Sequence, residues 1–391
     1  MRILFLHEVN YLTKPIFEMH EFPEHLAKLG HEVGFVQFPE SYSPAQIKER
    51  GYRKRIPGRV VAGVELELFT PWTPSGNFLG RLIASAISYW QFGRILKDFK
   101  PDVVVSFSVP TSGWQALLAC KRAGVPYVFR ALDVSHKIRK GLFSALVKQA
   151  ERFIYRNADA LSANNPAMIT YVNSIAGKHV SGTVHNPPLD LTMFVKGSRS
   201  EGRKKLGLGD SEQVILYLGS FFYFSGLDSV IREMSGKPSD SLLVLVGGGE
   251  QDAELRGLVA DLNLDNRVIF TGMRPFEELP DLVAAADVAI NPMEKTLVSN
   301  AALPNKVLQY MAAGVPVVST SLDGLVATFG AESGIVWGDS PREVAKLALS
   351  DSDSEALTTR SVLQRAAIRK FKDAADPALF ADFLSQVRAN S

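Results

Sequence analysis

The sequence lacks most features that assign a protein to a class at first sight. Cys120 is the single cysteine, which excludes an intramolecular disulfide and indicates a reducing compartment, and we expect it in the core. The net charge of +2 is too small to indicate nucleic acid as a partner. No segment predicts a membrane span of ~20 apolar residues: the uncharged run 82–93 is too short, and the uncharged run 103–120 is broken by Ser, Thr, Pro110 and Gly113. MRILFLHEVN is too short for a secretion signal. We therefore expect a cytoplasmic globular protein.

What the sequence does contain is an alternation of short apolar runs and longer helical patterns. A chain of 391 residues, 46% of them hydrophobic, is large enough for two domains. Strands are predicted at 2–7, 32–38, 103–108, 126–132, 160–164, 182–186, 214–220, 242–248, 268–272, 288–292 and 316–320. These runs lack strict alternation, as in strands covered on both faces. The rhythm predicts an α/β fold with two Rossmann-like, doubly wound parallel sheets.

The Pro- and Gly-rich, charged stretch 187–212 predicts the boundary between the domains. We assign residues 1–190 to the first domain and 191–370 to the second. We expect residues 371–391 to form a helix that packs back on the first domain. Parallel sheets bind ligands outside the carboxyl ends of their strands, so the loops after the strands are the candidate sites.

The stretch LPNKVLQYMAAGVPVVST, residues 303–320, predicts a helix without any obvious catalytic group. Pro304 suits the first helical turn, and Gly314 ends the helix. A helix start carries unpaired N–H groups and a partial positive charge, so it binds phosphate readily. Lys306 in the first turn interacts unfavourably with the helix dipole unless an anion lies beside it. The alternative is that Lys306 is an ordinary solvated lysine. We predict a phosphate site.

Six segments of the chain occur in a recognisable order. They are NADALSANNPAMITYV, HNPPLDLTMF, VILYLGSFFYFSGLDSVI, LLVLVGGGEQDAEL, NRVIFTGMRPFEELPDLVAAADVAINP and LPNKVLQYMAAGVPVVST. In this order they resemble the retaining family 4 (group 1) GT-B glycosyltransferases. The resemblance implies two facing Rossmann-like domains, of which the first binds the acceptor and the second binds a nucleotide sugar.

The resemblance also implies donor-binding positions in the second domain. Residues 272–274 would flank the base, and the turn 304–306 would meet the diphosphate. Ala301 and Gln309 stand where the family has two acids, of which the second usually bonds the ribose. The donor-binding set is Gly219, Ser220, Ser225, Gly248, Met273, Arg274, Glu294, Asn305 and Gln309, with Lys306 as a catalytic cation.

Two further departures concern charge at the diphosphate. The family typically has an Arg and a Lys where this chain has Ser220 and Ser225. A departing diphosphate needs cations or strong donors to stabilise its developing charge. We therefore predict that Lys306, helped by Arg274 and the helix start, replaces the missing pair. Glu294 could bond the sugar, and a plain surface glutamate is the alternative.

Polar residues after the strands of the first domain are the candidate acceptor site. His7, Glu8 and Asn10 follow the first strand, and Arg130 and Asp133 flank the end of strand 126–132. The family often has His-Asp at the last position, and only Asp133 remains here. We predict that Asp133 is catalytic and bonds the transferred sugar or the acceptor. Loop capping by short polar side chains is the alternative.

Two basic tracts, 48–59 and 136–156, mix cations with apolar residues in the acceptor half. They indicate a lipid-linked acceptor or an anionic membrane surface, and we expect the protein to be peripheral on the inner face of the membrane. The alternative is that these cations form an ordinary solvated protein surface. The resemblance implies no cofactor besides the UDP- or GDP-sugar co-substrate. The DxD at 351–353 lies in a polar linker, so we expect no metal.

Three other functions compete with sugar transfer to a glycan or lipid-linked glycan. A non-catalytic homologue acting as a partner subunit is suggested by the absent Arg, Lys and Glu. A GT-B epimerase should carry a convincing set of acid and base residues, which the sequence does not show. A dinucleotide-dependent dehydrogenase is disfavoured, because no G-x-G-x-x-G follows the first strand.

Overall fold

The computed structural model describes residues 1–14, 16–38, 53–72, 78–138, 142–209, 211–236, 241–350 and 354–391. The chain forms two compact units, Met1–Leu189 together with Lys372–Ser391, and Asp190–Phe371. In these ranges, no helix combines the length and the apolar character that crossing a bilayer requires.

The first unit is built on an eight-stranded sheet. Its strands are β1 (Arg2–His7), β2 (Glu32–Gln37), β3 (Arg53–Pro57), β4 (Glu65–Phe69), β5 (Val103–Ser106), β6 (Tyr127–Ala131), β7 (Ala160–Ala163) and β8 (Gly182–Val184). The spatial order is β3-β4-β2-β1-β5-β6-β7-β8, and every pair is parallel except β3 with β4. The strand order reverses between β1 and β5, so a crevice opens at their carboxyl ends.

Helices cover both faces of this sheet. They are α1 (Glu18–Lys28), α2 (Phe78–Phe99), α3 (Gly113–Ala123), α4 (Ser135–Ile138), α5 (Leu142–Asn157) and α6 (Pro166–Ala176). The connection from β1 to β2 moves toward the β3 end of the sheet, whereas the connections β4–β5, β5–β6 and β6–β7 move toward the β8 end. Because such crossovers are right-handed, α1 lies on one face of the sheet and the helices of the other three connections lie on the opposite face. Six of the eight strands, all except β3 and β8, are therefore largely buried, as their continuous apolar composition predicts.

The second unit is built on a six-stranded, wholly parallel sheet. Its strands are β9 (Val214–Ser220), β10 (Leu242–Gly248), β11 (Val268–Gly272), β12 (Val288–Asn291), β13 (Val317–Thr320) and β14 (Val336–Gly338). The order is β11-β10-β9-β12-β13-β14, which reverses between β9 and β12. A second crevice therefore opens at the carboxyl ends of these two strands.

The helices of the second unit follow the same alternation. They are α7 (Thr192–Val195), α8 (Arg199–Leu206), α9 (Leu227–Ser235), α10 (Asp252–Asp261), α11 (Leu279–Ala284), α12 (Leu297–Ala301), α13 (Asn305–Ala313), α14 (Asp323–Phe329) and α15 (Pro341–Ser350). Short 3₁₀ turns occupy Phe276–Glu278 and Ala331–Ser333. The long helix α16 (Ser354–Asp373) follows α15.

The last helix, α17 (Pro377–Ala389), belongs to the first unit. Pro377 occupies its first turn, and the Asp376 carboxylate caps it by accepting from the Ala378 N–H. The Phe380 ring lies 4.5 Å from that of Phe22 on α1, and Leu384 is fully buried in the same core. After completing its second unit, the chain thus returns to the first.

The predicted α/β class with two doubly wound sheets is confirmed, and Cys120 is buried. All eleven predicted strand segments contain a strand, whereas β3, β4 and β14 were not predicted. The cationic sequence of β3 and the three-residue length of β14 hide them from a search for apolar runs. The stretch 187–212, predicted to contain the domain boundary, contains the short helices α7 and α8.

Candidate functional site

A cavity of about 410 Å³ lies at the carboxyl edge of the second sheet. The carboxyl ends of β9 and β10 and the loops that follow β9, β11 and β12 contribute to it, together with the first turn of α13, so it occupies the predicted crevice. We call it the Lys306 cavity. Its lining residues are Tyr217, Leu218, Gly219, Ser220, Phe222, Phe224, Ser225, Val246, Gly247, Met273, Arg274, Leu279, Met293, Ala302, Pro304, Asn305, Lys306 and Gln309.

Glycines at the ends of β9 and β10 keep this cavity open. Gly219 and Gly247 both have φ +137°, a conformation that favours glycine. A Cβ on Gly247 would lie 2.0 Å from the carbonyl oxygen of Gly219, and a Cβ on Gly219 would lie 3.2 Å from Lys306 Nζ. The two glycines therefore allow the strand ends and the lysine to approach each other.

Helix α13 aims its first turn at the cavity because both of its ends and its inner face are fixed. Pro304 was predicted in the first helical turn and is the N-cap, directly before that turn, and Gly314 ends the helix at φ +73°. Val307 and Met311 are fully buried. The Tyr310 hydroxyl accepts a 2.7 Å hydrogen bond from the N–H of Leu218, which ties the helix to β9.

The Lys306 ammonium is the central charge of the cavity. Nζ lies 3.9 Å from the centroid of the Tyr217 ring, an attractive cation–π contact. Burial lowers the pKa of Lys306 to about 7. Among the described lining residues none is Asp or Glu, so no carboxylate compensates the charge. A desolvated cation beside a helix start is an arrangement that an anion stabilises.

The serines that replace the family's Arg and Lys also line the cavity. Ser225 is 2% exposed, and within the described chain its hydroxyl has no hydrogen-bond partner. A buried hydroxyl without a partner costs about 1–3 kcal/mol, which a ligand oxygen could recover. The Ser220 carbonyl accepts a 2.9 Å hydrogen bond from the Tyr217 hydroxyl.

The other predicted donor-binding residues are distributed unevenly. Asn305 and Gln309 line the cavity from α13. Met273 is 81% exposed at its rim, beside Arg274, whose guanidinium lies 3.6 Å from the Glu278 carboxylate. Two predictions fall outside the lining: Gly248 follows the lining residue Gly247, and Glu294 is exposed.

A second cavity, of about 270 Å³, lies at the carboxyl ends of β1, β5 and β6 in the first unit. We call it the Asp133 cavity. It brings together His7, Glu8, Arg130 and Asp133, as predicted from sequence. The lining residues are His7, Glu8, Val9, Lys14, Phe17, Phe107, Ser108, Val109, Pro110, Phe129, Arg130, Leu132, Asp133 and Ser135.

His7 is held as a neutral imidazole. Its ring stacks on Phe107 at 5.3 Å, and its Nδ1 accepts from the Glu8 N–H at 2.8 Å, so Nε2 carries the proton. Burial, with repulsion from Lys14 and His20, lowers the pKa of His7 to about 3. His7 can thus donate one neutral hydrogen bond to a ligand.

Asp133 titrates closer to neutrality than an ordinary aspartate. Desolvation by the protein packed around the cavity, together with the Glu18 carboxylate, raises the pKa of Asp133 to about 6. The residue itself is exposed at the cavity rim. Above that pH its carboxylate can accept hydrogen bonds from sugar hydroxyl groups.

Three of the predicted acceptor-binding residues, Glu8, Asn10 and Arg130, make hydrogen bonds within the protein. The Glu8 carboxylate accepts from the N–H groups of Thr111 and Ser112, at 2.7 and 3.0 Å, where α3 begins. Asn10 lies outside the lining and its side chain accepts from the Leu12 and Thr13 N–H groups. Asn10 therefore has the loop-capping role that was the alternative.

Arg130 is fully buried, and all five of its N–H donors have partners. It pairs with Glu18 at 2.6 and 3.1 Å, and also donates to the Ser162 hydroxyl and to the carbonyls of Ala163 and His185. No donor remains for an acceptor sugar. The geometry thus gives Arg130 the role of joining β6, β7 and α1 beneath the cavity.

The basic tracts are only partly described: residues 48–52, 139–141 and the DxD at 351–353 lie outside the described residues. Arg59 donates to the carbonyls of Tyr11 and Lys14 at 2.6 and 2.8 Å, so it fixes the loop after β1. Arg53 pairs with Glu67 at 2.6 Å. Arg55 is 75% exposed. In the described ranges, no group of three His, Cys, Asp or Glu residues could hold a metal.

Comparisons with known proteins agree with this geometry. The family described as "Glycosyl transferase 4-like domain" matches residues 19–180, and "Glycosyl transferases group 1" matches residues 212–350. The first match falls within the unit that holds the Asp133 cavity and the second within the unit that holds the Lys306 cavity. The chain belongs to the GT-B glycosyltransferases of the group 1 type.

Individual relatives are more distant. Over 137 residues, 34% of each chain, it is 31% identical to an uncharacterized glycosyltransferase of Methanocaldococcus jannaschii. It is also 28% identical to the D-inositol 3-phosphate glycosyltransferase of Acidothermus cellulolyticus. That match covers 60% of this chain and 56% of the relative. The chain thus spans about half the length of the curated relatives it matches, or less.

The fold has close counterparts among solved structures. The crystal structure of Anabaena HepE in complex with UDP superposes with a TM-score of 0.75 at 20% identity, covering 99% of this chain and 100% of that one. At this identity the likeness shows the GT-B fold alone.

Sequence reasoning missed several residues of both cavities. Tyr217 carries no motif and is recognisable only from the position of Lys306 over its ring. Lys14 lies in an irregular loop, seven residues beyond the end of β1. Ser108 is the last residue of the predicted strand 103–108 and lies just beyond the end of β5, and this position at a strand end was the signal that could have found it.

Proposed function

We propose that this chain is a retaining glycosyltransferase that moves a sugar from a UDP- or GDP-sugar to a glycan or lipid-linked glycan. The observation that carries the proposal is the Lys306 cavity, where a helix start and a half-buried ammonium converge and the described lining holds no Asp or Glu. Nucleotide sugars carry a diphosphate, and this is the charge that such a site attracts. The structurally similar Anabaena HepE has been solved with UDP.

The donor would lie along the cavity from Met273 to α13. Its diphosphate would accept from the N–H groups of the first turn of α13, from Lys306 and from the Ser225 hydroxyl. Gln309 would bond the ribose, and residues 272–274 would flank the base. Arg274 would supply a second cation once its contact with Glu278 opens.

In the proposed reaction the bond between the anomeric carbon and the phosphate oxygen breaks, and the electron pair stays on the diphosphate. Lys306 and the helix start stabilise that charge. The acceptor hydroxyl attacks from the same face, and its proton passes to the departing phosphate oxygen. No protein carboxylate takes part in this transfer, so Asp133 and His7 have the task of orienting the sugar and the acceptor.

The acceptor is proposed to be lipid-linked, and the protein to act peripherally on the inner face of a membrane. Support comes from exposed cations in the basic tracts, including Arg55 on β3 and Lys148 and Arg152 on α5. Phosphate-linked acceptors and anionic lipid headgroups attract such cations in the same way.

Transfer is tested by incubating the protein with a panel of UDP- and GDP-sugars and measuring nucleotide release with and without acceptor glycans. We expect release from at least one donor, and Lys306→Ala to reduce kcat by about 10²–10³-fold, as removal of one transition-state donor does. Lys295→Ala is the matched control, because Lys295 pairs with Asp339 outside the lining.

Retention is tested by determining the anomeric configuration of the product by NMR. An inverted product would refute the proposed mechanism and leave the transferase class intact. Binding of nucleotide sugars without any turnover would instead support the non-catalytic homologue, which no observation on the structure favours.

A further inference from the structure

Large apolar side chains are exposed on three neighbouring helices of the first unit. Helix α3 packs between α2 and α5: Gln115 donates to the Ser85 carbonyl on α2 at 3.0 Å, and Lys121 to the Asn157 side chain on α5 at 3.4 Å. All three helices cover the same face of the sheet. The exposed residues, which we call the outer apolar face, are Leu79, Leu82, Ile83, Trp90, Trp114, Leu118, Leu146 and Phe153.

Helix α2 provides the largest part of this face. Its inner side buries Ala84, Phe92 and Ile95, as a helix on a sheet must. Its outer side should then be polar, yet Leu79 is 66% and Trp90 is 69% exposed. A contiguous apolar surface on a soluble domain marks an interaction site.

Cations gather where α2 ends. A groove of about 680 Å³ runs between α2 and α3, with Tyr89 and Trp90 on one side. Its described lining contains Arg94, Lys97, Lys100, Arg122 and a single acid, Asp98, which pairs with Arg94 at 3.8 Å. The groove is therefore cationic beside an apolar surface.

This distribution of charge selects the partner. An apolar helix face flanked by lysine and arginine, with tryptophan at the boundary, matches the interface of an anionic bilayer, where acyl chains meet phosphate headgroups. A second copy of this chain fits poorly, because a twofold contact would bring the same four cations against each other.

We propose that the outer apolar face docks this protein on an anionic lipid surface. Helix α2 lies parallel to the membrane, with Leu79, Leu82, Ile83 and Trp90 below the headgroups and the groove cations bonded to lipid phosphates. Helix α5 contributes Leu146 and Phe153, so the predicted basic tract 136–156 belongs in part to this surface. The inference builds on the proposed lipid-linked acceptor and assigns its docking surface to α2.

The test is vesicle sedimentation of the purified chain with phosphatidylcholine alone and mixed with phosphatidylglycerol. We expect binding only to the anionic vesicles, weakening as salt screens the charges. The variant Leu82→Ser/Trp90→Ser should bind about tenfold more weakly, because two exposed apolar side chains no longer enter the interface. Arg94→Gln/Lys97→Gln should lose the preference for anionic lipid.

The matched control is Leu379→Ser, since Leu379 is 52% exposed on α17 in the same unit and lies outside the outer apolar face. It should bind as the wild type does. Melting curves check that each variant is folded. Equal binding by Leu82→Ser/Trp90→Ser and wild type, or no wild-type binding at all, overturns the proposal.

Light scattering tests whether a second copy of this chain covers the outer apolar face instead. A wild-type dimer that becomes monomeric in Leu82→Ser/Trp90→Ser would assign the face to that contact and overturn the proposal. Nucleotide release from sugar donors in the absence of vesicles is measured in parallel. Unchanged vesicle binding without donor turnover would contradict the proposed function alone.

Discussion

The ammonium of Lys306 gives the proposed donor site a pH dependence that can be measured. Burial lowers its pKa from 10.5 to about 7, so the ligand-free site changes from charged to neutral near pH 7. Both phosphates of a nucleotide sugar are esterified and keep their charge throughout this range. If the charged lysine binds the diphosphate, affinity for the donor must fall as the pH rises above about 7, by about tenfold per pH unit.

The structure also sets the extent of this fall. A charge-assisted hydrogen bond contributes about 1.5–3 kcal/mol, so the loss should level off after about one to two pH units, at about 10- to 150-fold. The assay is titration calorimetry with one UDP-sugar at several pH values. Lys306→Arg should bind with little pH dependence, whereas Lys306→Met should bind weakly at every pH. A wild-type affinity that is flat across this range, or a slope that survives in Lys306→Met, would refute the reasoning.

The ligand-free protein should show the opposite trend in stability. The lowered pKa means that folding releases a proton from Lys306 between pH 7 and 10.5. The cost of burying the charge is therefore fully present below about pH 7 and disappears as the pH rises toward 10.5. Lys306→Met should raise the melting temperature most at low pH, and an increase that is equal at high pH would contradict this linkage.

Three further outcomes are expected. Gly247→Ala should lower both the free energy of unfolding and the affinity for the donor, because its Cβ would lie 2.0 Å from a carbonyl oxygen. The control Gly257→Ala has no atom within 4 Å of its Cβ, so it should stabilise helix α10 by up to about 1 kcal/mol, as measured by urea unfolding. Glu18→Leu should cost about 3–5 kcal/mol by leaving buried Arg130 unpaired, and Glu18→Leu/Arg130→Met should recover most of it. Acceptor kcat/KM should fall below about pH 6 as Asp133 is protonated, and Asp133→Asn should remove that limb of the profile.

Much of the fold follows from local sequence. Runs such as VILYLGS and LLVLVGG are apolar on both faces, which is typical of strands covered by helices on both sides. A helix between two consecutive strands returns the chain to the starting edge of the sheet, so the strands pair in parallel. Strand β3 escaped because its RKRIP sequence exposes every residue except Ile56, so its pairing with β4 depends on backbone hydrogen bonds that composition does not record. The helix predicted over residues 371–391 begins later, because Pro377 occupies the first turn of α17 and the preceding helix α16 ends at Asp373.

The residues of the cavities were predictable where strand ends supply them, as with Gly219 and Asp133, or where a helix start does, as with Lys306. They were not predictable where a side chain could point either into the cavity or into the protein core. Arg130 follows the same positional rule as Asp133, yet it points into the core because Glu18, distant in sequence, offers a buried counter-charge. Only three-dimensional packing distinguishes these two residues.

The cationic strand β3 has one more consequence. In the described part of the chain it pairs with β4 alone, so it closes one end of the eight-stranded sheet and leaves its outer hydrogen-bonding edge available. Such an edge invites strands of other molecules and can seed aggregation. Arg53, Lys54 and Arg55 repel an incoming copy, and Pro57 lacks the N–H that a growing ladder requires. The sequence of β3 thus disfavours edge-to-edge pairing between copies of the chain.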